Sequence, residues 1–423
     1  MSLDLTVSTH QAAYQAGTPQ TVYALLDLQP QAVSGRMPLD LRLVLDHSGS
    51  MGSPAKQGHR QSKLELLKQA VVAMLDALEP GDRVTVVAFD HVAEEVYQGV
   101  IRSDRDVKAA QQAVRKIAEA GGTSVLAGLQ EALGEATLPG HVGRLVLVTD
   151  GETNGGEEPA CERIAFDQRG QMTWLVYGIG IDYNDRFLDG LARANGGSYV
   201  HLSDLAAASA AFATEIAVMG DVALTNLVVN VEPVPGVEIA RVDRIVPQTM
   251  SVPVSMPSFL TVDLGDVDRG RGQKLLVQLT VPAMGVGNQT LALIRCGYHV
   301  PVKKRLNQTL ESPLTVAFAA EAGLADGEVL RTIQLAGANR LTTLAMAELA
   351  GGNGDSAART LASSAALYDQ LGLGGMGDQL RTLTSAARAS TTLSADAEDA
   401  RRTLTTMARQ AWQLEGDDDA GLP

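Results

Sequence analysis

Hydrophobic and polar positions along this chain change period three times, and each change marks a change of architecture. Near the start, Leu3, Leu5 and Val7 alternate with polar residues, and Val22, Ala24, Leu26 and Leu28 share a later period-2 face. Such alternation predicts two half-buried strands, joined through the turn-like QAGTP. From residue 38 the chain turns to continuous apolar runs, LRLVLD, RVTVVAFD, RLVLVTD and MTWLVYGIGID, separated by stretches of helical period. The best-marked helix opens on Ser62, with Glu65 as its capping-box partner. It carries Leu64, Leu67, Val71, Met74, Leu75 and Leu78 as one stripe, and EPGDR stops it. Further helices are expected at about 104–119, 124–136, 157–169, 184–194 and 204–218. Strands apolar on both faces, alternating with helices, predict an α/β doubly wound, mostly parallel sheet over 38–220.

Beyond 220 the pattern returns to short alternating segments such as KLLVQLTV, broken by the proline-rich VEPVPG, SVPVSMPSF and LTVPAMG. This reads as an antiparallel β-sandwich. A sandwich needs its edges covered, and the two N-terminal strands have no other home. Residues 1–37 plus 221–310 are therefore expected to form one discontinuous β-sandwich domain, with the α/β domain inserted in it. Residues 311–416 are rich in Ala, Leu, Arg and Gln, with breaks at GGNGD and LGLGGMGD. They predict an α-helical C-terminal domain, with helices at about 313–322, 326–350, 355–371, 377–390 and 395–414. The acidic end, 417–423, is expected to be a disordered tail.

Composition narrows the function classes. Apolar residues make up 45% of the 423, enough for two or three cores. The formal net charge is −15, and the 34 Lys and Arg are scattered, so nucleic acid and anionic membrane are poor partners. No window of about 18 apolar residues suggests a membrane span. The start, MSLDLTVSTH, lacks the basic and apolar regions of a signal peptide. Two distant cysteines, Cys161 and Cys296, do not make a disulfide framework. Together these features suggest a cytoplasmic location.

The chemistry lies at the ends of the apolar runs, where sheets of this class bind ligands. In LRLVLDHSGS the run ends on Asp46, and Ser48 and Ser50 follow at alternate positions. A tight loop can turn these three side chains the same way. Carboxylates and hydroxyls are hard donors, suited to a divalent cation of the Mg²⁺ kind. Two further oxygens are available at neighbouring strand ends: Thr123, after a double glycine, and Asp150, which closes the most apolar run of the chain. A carboxylate buried there is costly unless it is paired or bound to a metal.

DHSGS, GGT and TDGE, in this order and at these strand ends, resemble the metal-ion-dependent adhesion site of von Willebrand factor type A domains. The resemblance covers about 38–220 and extends to the segment from WLVYGIGID to HLSDL, which is similar to bacterial members. It implies that Asp46, Ser48, Ser50, Thr123 and Asp150 are the metal ligands, some of them through water. It also implies that the ion is Mg²⁺, with Mn²⁺ or Ca²⁺ as alternatives, and that it keeps one position open for an acidic residue of a protein partner. The family context further implies a subunit of a larger bacterial assembly, with an oligomer also compatible. His47 falls at a variable position of the motif, beside the site.

Other acidic groups have simpler readings. Asp182 and Asp185 suit helix capping. Asp263, Asp266 and Asp268 lack the spacing of a calcium loop and suit a hairpin turn. A Mg²⁺-dependent hydrolase or phosphotransferase is the alternative function, since DxSxS superficially resembles phosphatase loops. It is disfavoured because position 48 is a serine and the motif holds no basic residue. A scaffold with a purely structural metal is a third reading. The expectation is therefore a cation-dependent interaction module, not an enzyme. Two regulatory expectations accompany it: the helix at 204–218 could relay ligand binding to the sandwich, and the EGDDD tail could enter a neighbouring chain's metal site.

Overall fold

A computed structural model describes residues 2–31, 35–54, 61–150, 156–179, 184–202, 221–303, 305–389 and 395–412. The first nine strands are β1 (Leu3–Thr9), β2 (Tyr14–Gln15), β3 (Gln20–Pro30), β4 (Leu39–Asp46), β5 (Arg83–Phe89), β6 (Ala93–Val100), β7 (Val142–Thr149), β8 (Met172–Ile179) and β9 (Ser198–Leu202). The later ones are β10 (Val222–Pro233), β11 (Glu238–Val246), β12 (Met250–Val252), β13 (Leu260–Asp268), β14 (Gln273–Val281), β15 (Gly287–Val300) and β16 (Arg305–Ala319). Among the described residues the α-helices are α1 (Lys63–Leu75), α2 (Asp104–Lys116), α3 (Val125–Ala132), α4 (Glu158–Asp167), α5 (Asp185–Asn195), α6 (Gly327–Ala350), α7 (Gly354–Gln370), α8 (Gly374–Ala389) and α9 (Ala395–Gln410). Two compact units result. One comprises 34–225 with 301–303, the other 1–33, 226–300 and 304–423.

The first unit is an α/β sandwich around a six-stranded sheet of order β6-β5-β4-β7-β8-β9. Neighbouring strands are parallel except β5 and β6. All eight residues of β4 are buried, which its place at the centre of the sheet explains. Its alternation sorts them: Leu39, Leu41, Leu43 and Leu45 pack with the Leu64, Leu67, Val71 and Met74 stripe of α1. Val44 faces the opposite core, with Leu129 of α3, Cys161 of α4, Trp174 of β8 and Leu188 of α5. Each such leucine contributes about 1.5–3 kcal/mol relative to an exposed position. Asp40 and Arg42 share the Val44 face, where Arg42 donates to the Ala132 carbonyl at 2.7 Å. α1 starts where its capping box lies: the Glu65 amide donates to Ser62 Oγ at 3.1 Å and the Ser62 amide to Glu65 Oε2 at 3.0 Å.

The second unit holds two five-stranded sheets, β1-β3-β14-β11-β12 and β13-β10-β15-β16-β2. β3 pairs antiparallel with β1 on one side and with β14 on the other, so an N-terminal strand sits in one sheet with strands that follow the α/β segment. On β3, Val22, Ala24, Leu26 and Leu28 are buried with period two, and Leu25 is buried on the opposite face. Leu25, Ile245, Val246 and Leu276 pack into one core with Leu335 and Ala338 of α6, Leu361 of α7 and Leu380 of α8. Arg340 of α6 pairs with the buried Asp243 of β11 at 2.6 Å, and Trp412 Nε1 donates to the Pro247 carbonyl at 2.7 Å.

Two expectations need correction. The helices were expected as a separate domain over 311–416, yet they share one compact unit with the sandwich, because one sheet is apolar on both faces and needs a cover. The expected helix at 313–322 is instead the second half of β16: Leu314, Val316 and Phe318 are buried at period two in the hairpin with β15. Leu-Thr-Val-Ala-Phe-Ala is ambiguous by composition, and pairing with β15 decides it. The antiparallel edge strand β6 escaped the periodicity altogether. Its Glu94 and Glu95 point to water, as suits an edge that must not pair further. The helix expected at 204–218 and the acidic tail lie outside the described residues. No helix among the described residues is long and apolar enough to cross a membrane.

Candidate metal centre

Parallel pairing sets the geometry of the site. Asp46 is the last residue of β4 and lies opposite Phe89 of β5, while Leu45 lies opposite Val148 of β7. Asp46, Asp90 and Asp150 therefore stand at the carboxyl ends of three adjacent strands. After Asp46 the chain makes a one-turn 3-10 helix, Gly49–Gly52. The Ser48 amide donates to Asp46 Oδ1 at 2.8 Å, and Met51 N to the Ser48 carbonyl at 3.0 Å. This tight turn brings the Ser48 and Ser50 hydroxyls 3.1 Å apart.

A second loop closes over the first. Ala120 N donates to the His47 carbonyl at 2.9 Å and Gly49 N to the Gly121 carbonyl at 3.2 Å. His47 Nδ1 donates to the Ala118 carbonyl at 2.7 Å, so this histidine fastens the two loops together. Gly121 has φ +54°, and a Cβ there would come within 2.3 Å of the Asp90 carboxylate. Glycine at 121 is thus required twice over, by conformation and by space. The loop then delivers Thr123, which is buried, and Ser124, which caps α3 by accepting from Ala127 N and donates its own hydroxyl to Glu157.

Asp46 and Asp150 are both essentially inaccessible to water. Asp46 Oδ2 accepts from Thr149 Oγ1 at 2.5 Å. Burial, and after it the negative charge of Asp150, pushes the Asp46 carboxyl up to about 6, against the opposing hydrogen bonds from Ser48 and Thr149. Asp150 Oδ2 accepts from Lys63 Nζ at 2.9 Å, and Asp150 Oδ1 is buried with no hydrogen-bond partner among the described residues. An unpartnered buried carboxylate oxygen beside a second buried carboxylate is a strongly unfavourable arrangement by itself. A divalent cation would relieve it. Such an ion suits the donor set of two carboxylates, two converging serine hydroxyls and a buried threonine. Among the described residues no group of three or more His, Cys, Asp or Glu forms a metal cluster of its own.

Two residues of the site went unremarked in the sequence. Asp90 shares the strand-end position. Its burial works against ionisation, but the Val92 amide at 2.8 Å and the nearby His91 and His47 hold it below the usual carboxylate range. RVTVVAFD, a third apolar run ending on aspartate, is the signal that could have found it. Lys63 has no such signal. Of the other candidates, Asp185 starts α5 behind the Asn184 cap, and Asp182 lies outside the described residues. Asp263, Asp266 and Asp268 belong to β13, and Asp263 Oδ1 accepts from Gly265 N at 3.0 Å.

Comparison with known proteins agrees with the fold. Residues 40–201 match the family model for the von Willebrand factor type A domain. The chain is 28% identical over 381 residues to an uncharacterized protein, sll0103, of Synechocystis sp., covering 86% of this chain and 87% of that one. It is 26% identical over 200 residues to the human von Willebrand factor A domain-containing protein 5A, a match that covers 46% of this chain and 25% of that protein. Among solved structures, a von Willebrand factor type A protein from Catenulispora acidiphila superposes with a TM-score of 0.78 at 19% identity, covering 96% of both chains. The ArnB paralog VWA2 from Sulfolobus acidocaldarius superposes with a TM-score of 0.58 at 16% identity, covering 97% of this chain and 98% of its own.

Proposed function

We propose that this chain, whose residues 40–201 form a von Willebrand factor type A domain, is a divalent-cation-dependent protein-interaction module rather than an enzyme. The observation that carries the reading is the pair of buried carboxylates, Asp46 and Asp150, with Asp150 Oδ1 unpartnered among the described residues at the carboxyl edge of a parallel sheet. In this reading Asp46, Ser48, Ser50, Thr123 and Asp150 hold the ion, directly or through water. Mg²⁺ is the expected ion, with Mn²⁺ or Ca²⁺ as substitutes. When bound, the cation neutralises the carboxylate pair and offers a Lewis-acidic position to an acidic side chain of a partner protein. The protein's own part is to hold the donors in place: the 3-10 turn aims the serines, Gly121 and His47 lock the second loop, and Thr149 fixes Asp46. The chain would serve as a subunit of a larger assembly. Its two buried thiols, Cys161 and Cys296, go with a reducing, cytoplasmic location.

Titration calorimetry with Mg²⁺ and Mn²⁺ tests the reading on the wild type and on a variant carrying Asp46→Ala and Asp150→Ala. Saturable binding that the double variant loses is the expected result. Equal binding in both, or none in either, would refute the site. Pull-downs with and without chelator then report whether any partner depends on the ion.

A further inference from the structure

Lys63 meets Asp150 in an arrangement that the metal reading alone does not call for. The lysine is the first residue of α1, and its side chain is 12% exposed against 1% for Asp150. A positive charge at a helix N-terminus opposes the helix dipole, so helix stability gives no reason for a cation there. The compensating interaction is across the fold: Lys63 Nζ donates to Asp150 Oδ2 at 2.9 Å, 87 positions along the chain. The backbone of the same residue is clipped to the opposite side of the site, since Lys63 N donates to the Ser53 carbonyl at 3.0 Å, directly after the turn that carries Ser50.

We propose that Lys63 is a built-in competitor for the divalent cation, its ammonium holding Asp150 and having to withdraw when an ion takes that carboxylate. This rests on the reading of the site as a cation site, and adds how occupation is sensed. Asp150 carries one negative charge. Shared between an ammonium and a doubly charged ion in a water-poor pocket, it would bring two cations into strong mutual repulsion. Binding of the ion therefore breaks the Lys63–Asp150 pair. The ammonium then leaves the sheet edge, and the first turn of α1 loses its link to β7 while keeping the one to Ser53. Lys63 lowers the affinity of the site and in return makes occupancy visible at the start of α1.

The test is calorimetric titration of the full chain with Mn²⁺ alone, in chelator-free buffer, for wild type, Lys63→Met and Lys63→Arg. Methionine keeps the length of the side chain and removes its charge; arginine keeps the charge. Lys63→Met should bind about tenfold or more tighter than wild type, and Lys63→Arg should stay within about threefold of it. Wild type and Lys63→Met binding alike, Lys63→Met binding more weakly, or Lys63→Arg matching Lys63→Met would overturn it while leaving the metal site standing. No binding in any of the three would overturn both. Amide exchange in the first turn of α1 gives a second readout, and should accelerate in wild type on saturation but not in Lys63→Met.

Discussion

Asp46 shows how a single residue can be unfavourable for folding and still belong to the design. Its carboxyl is pushed up to about 6 from the ordinary 3.8 by burial and by Asp150. Between those two values the unfolded chain has released the proton and the folded one retains it. Stability therefore falls as pH rises through this window, and the cost is complete above about pH 6. The shift corresponds to about 2–3 kcal/mol. In chelator at pH 7.5, Asp46→Asn should raise stability by up to that amount, and the gain should fade toward pH 4. Thermal melts at the two pH values measure it; a gain that is equal at both, or absent, would mean the carboxylate is not strained. The same variant should bind no cation. A protein that becomes firmer when its site is disarmed is one that keeps the site for use.

At the scale of elements, the loop 117–124 is held by backbone bonds to His47 and Gly49 and by the space that Gly121 leaves for Asp90. Gly121→Ala forces a methyl against that carboxylate at a positive φ, a strain of about 1–3 kcal/mol. Because the loop delivers Thr123, cation affinity should fall along with the melting temperature. An alanine variant of unchanged affinity would show that Thr123 is positioned independently of the loop. Most of this layer was legible in the chain. The apolar runs gave β4, β5, β7 and β8, the Ser62–Glu65 pair marked the start of α1, and the DxSxS spacing puts Asp46, Ser48 and Ser50 in one tight turn. Local patterns could not supply three things. β6 is too polar to stand out, β16 needed its partner β15 to be distinguished from a helix, and the Lys63–Asp150 pair joins a helix start to a distant strand end. Each depends on pairing across the fold, which periodicity does not encode.

For the whole molecule, the described residues of the two units pack into different cores. All five donors of the proposed cation site lie in the α/β unit. Scanning calorimetry should therefore resolve two transitions, of which only one moves when Mg²⁺ is added. At an ion concentration of a hundred times the dissociation constant the stabilisation is about 2.7 kcal/mol. One transition that shifts as a whole would show that the units unfold together.

The discontinuous path of the second unit has a consequence for how the chain is made. Residues 34–225 are consecutive, so the α/β unit has its strands and helices in hand once that stretch has emerged from the ribosome. β3 is different: Leu28 pairs with Gln273, 245 positions later (273 − 28). At about 5–20 residues per second, its open edge waits roughly 12–50 s for that neighbour, with only β1 beside it. For that interval a nascent strand with buried-type leucines and unpaired amides is exposed to other chains. The inserted unit is thus also a delay line, and chaperone demand during synthesis should fall on the first thirty residues rather than on the part that carries the site.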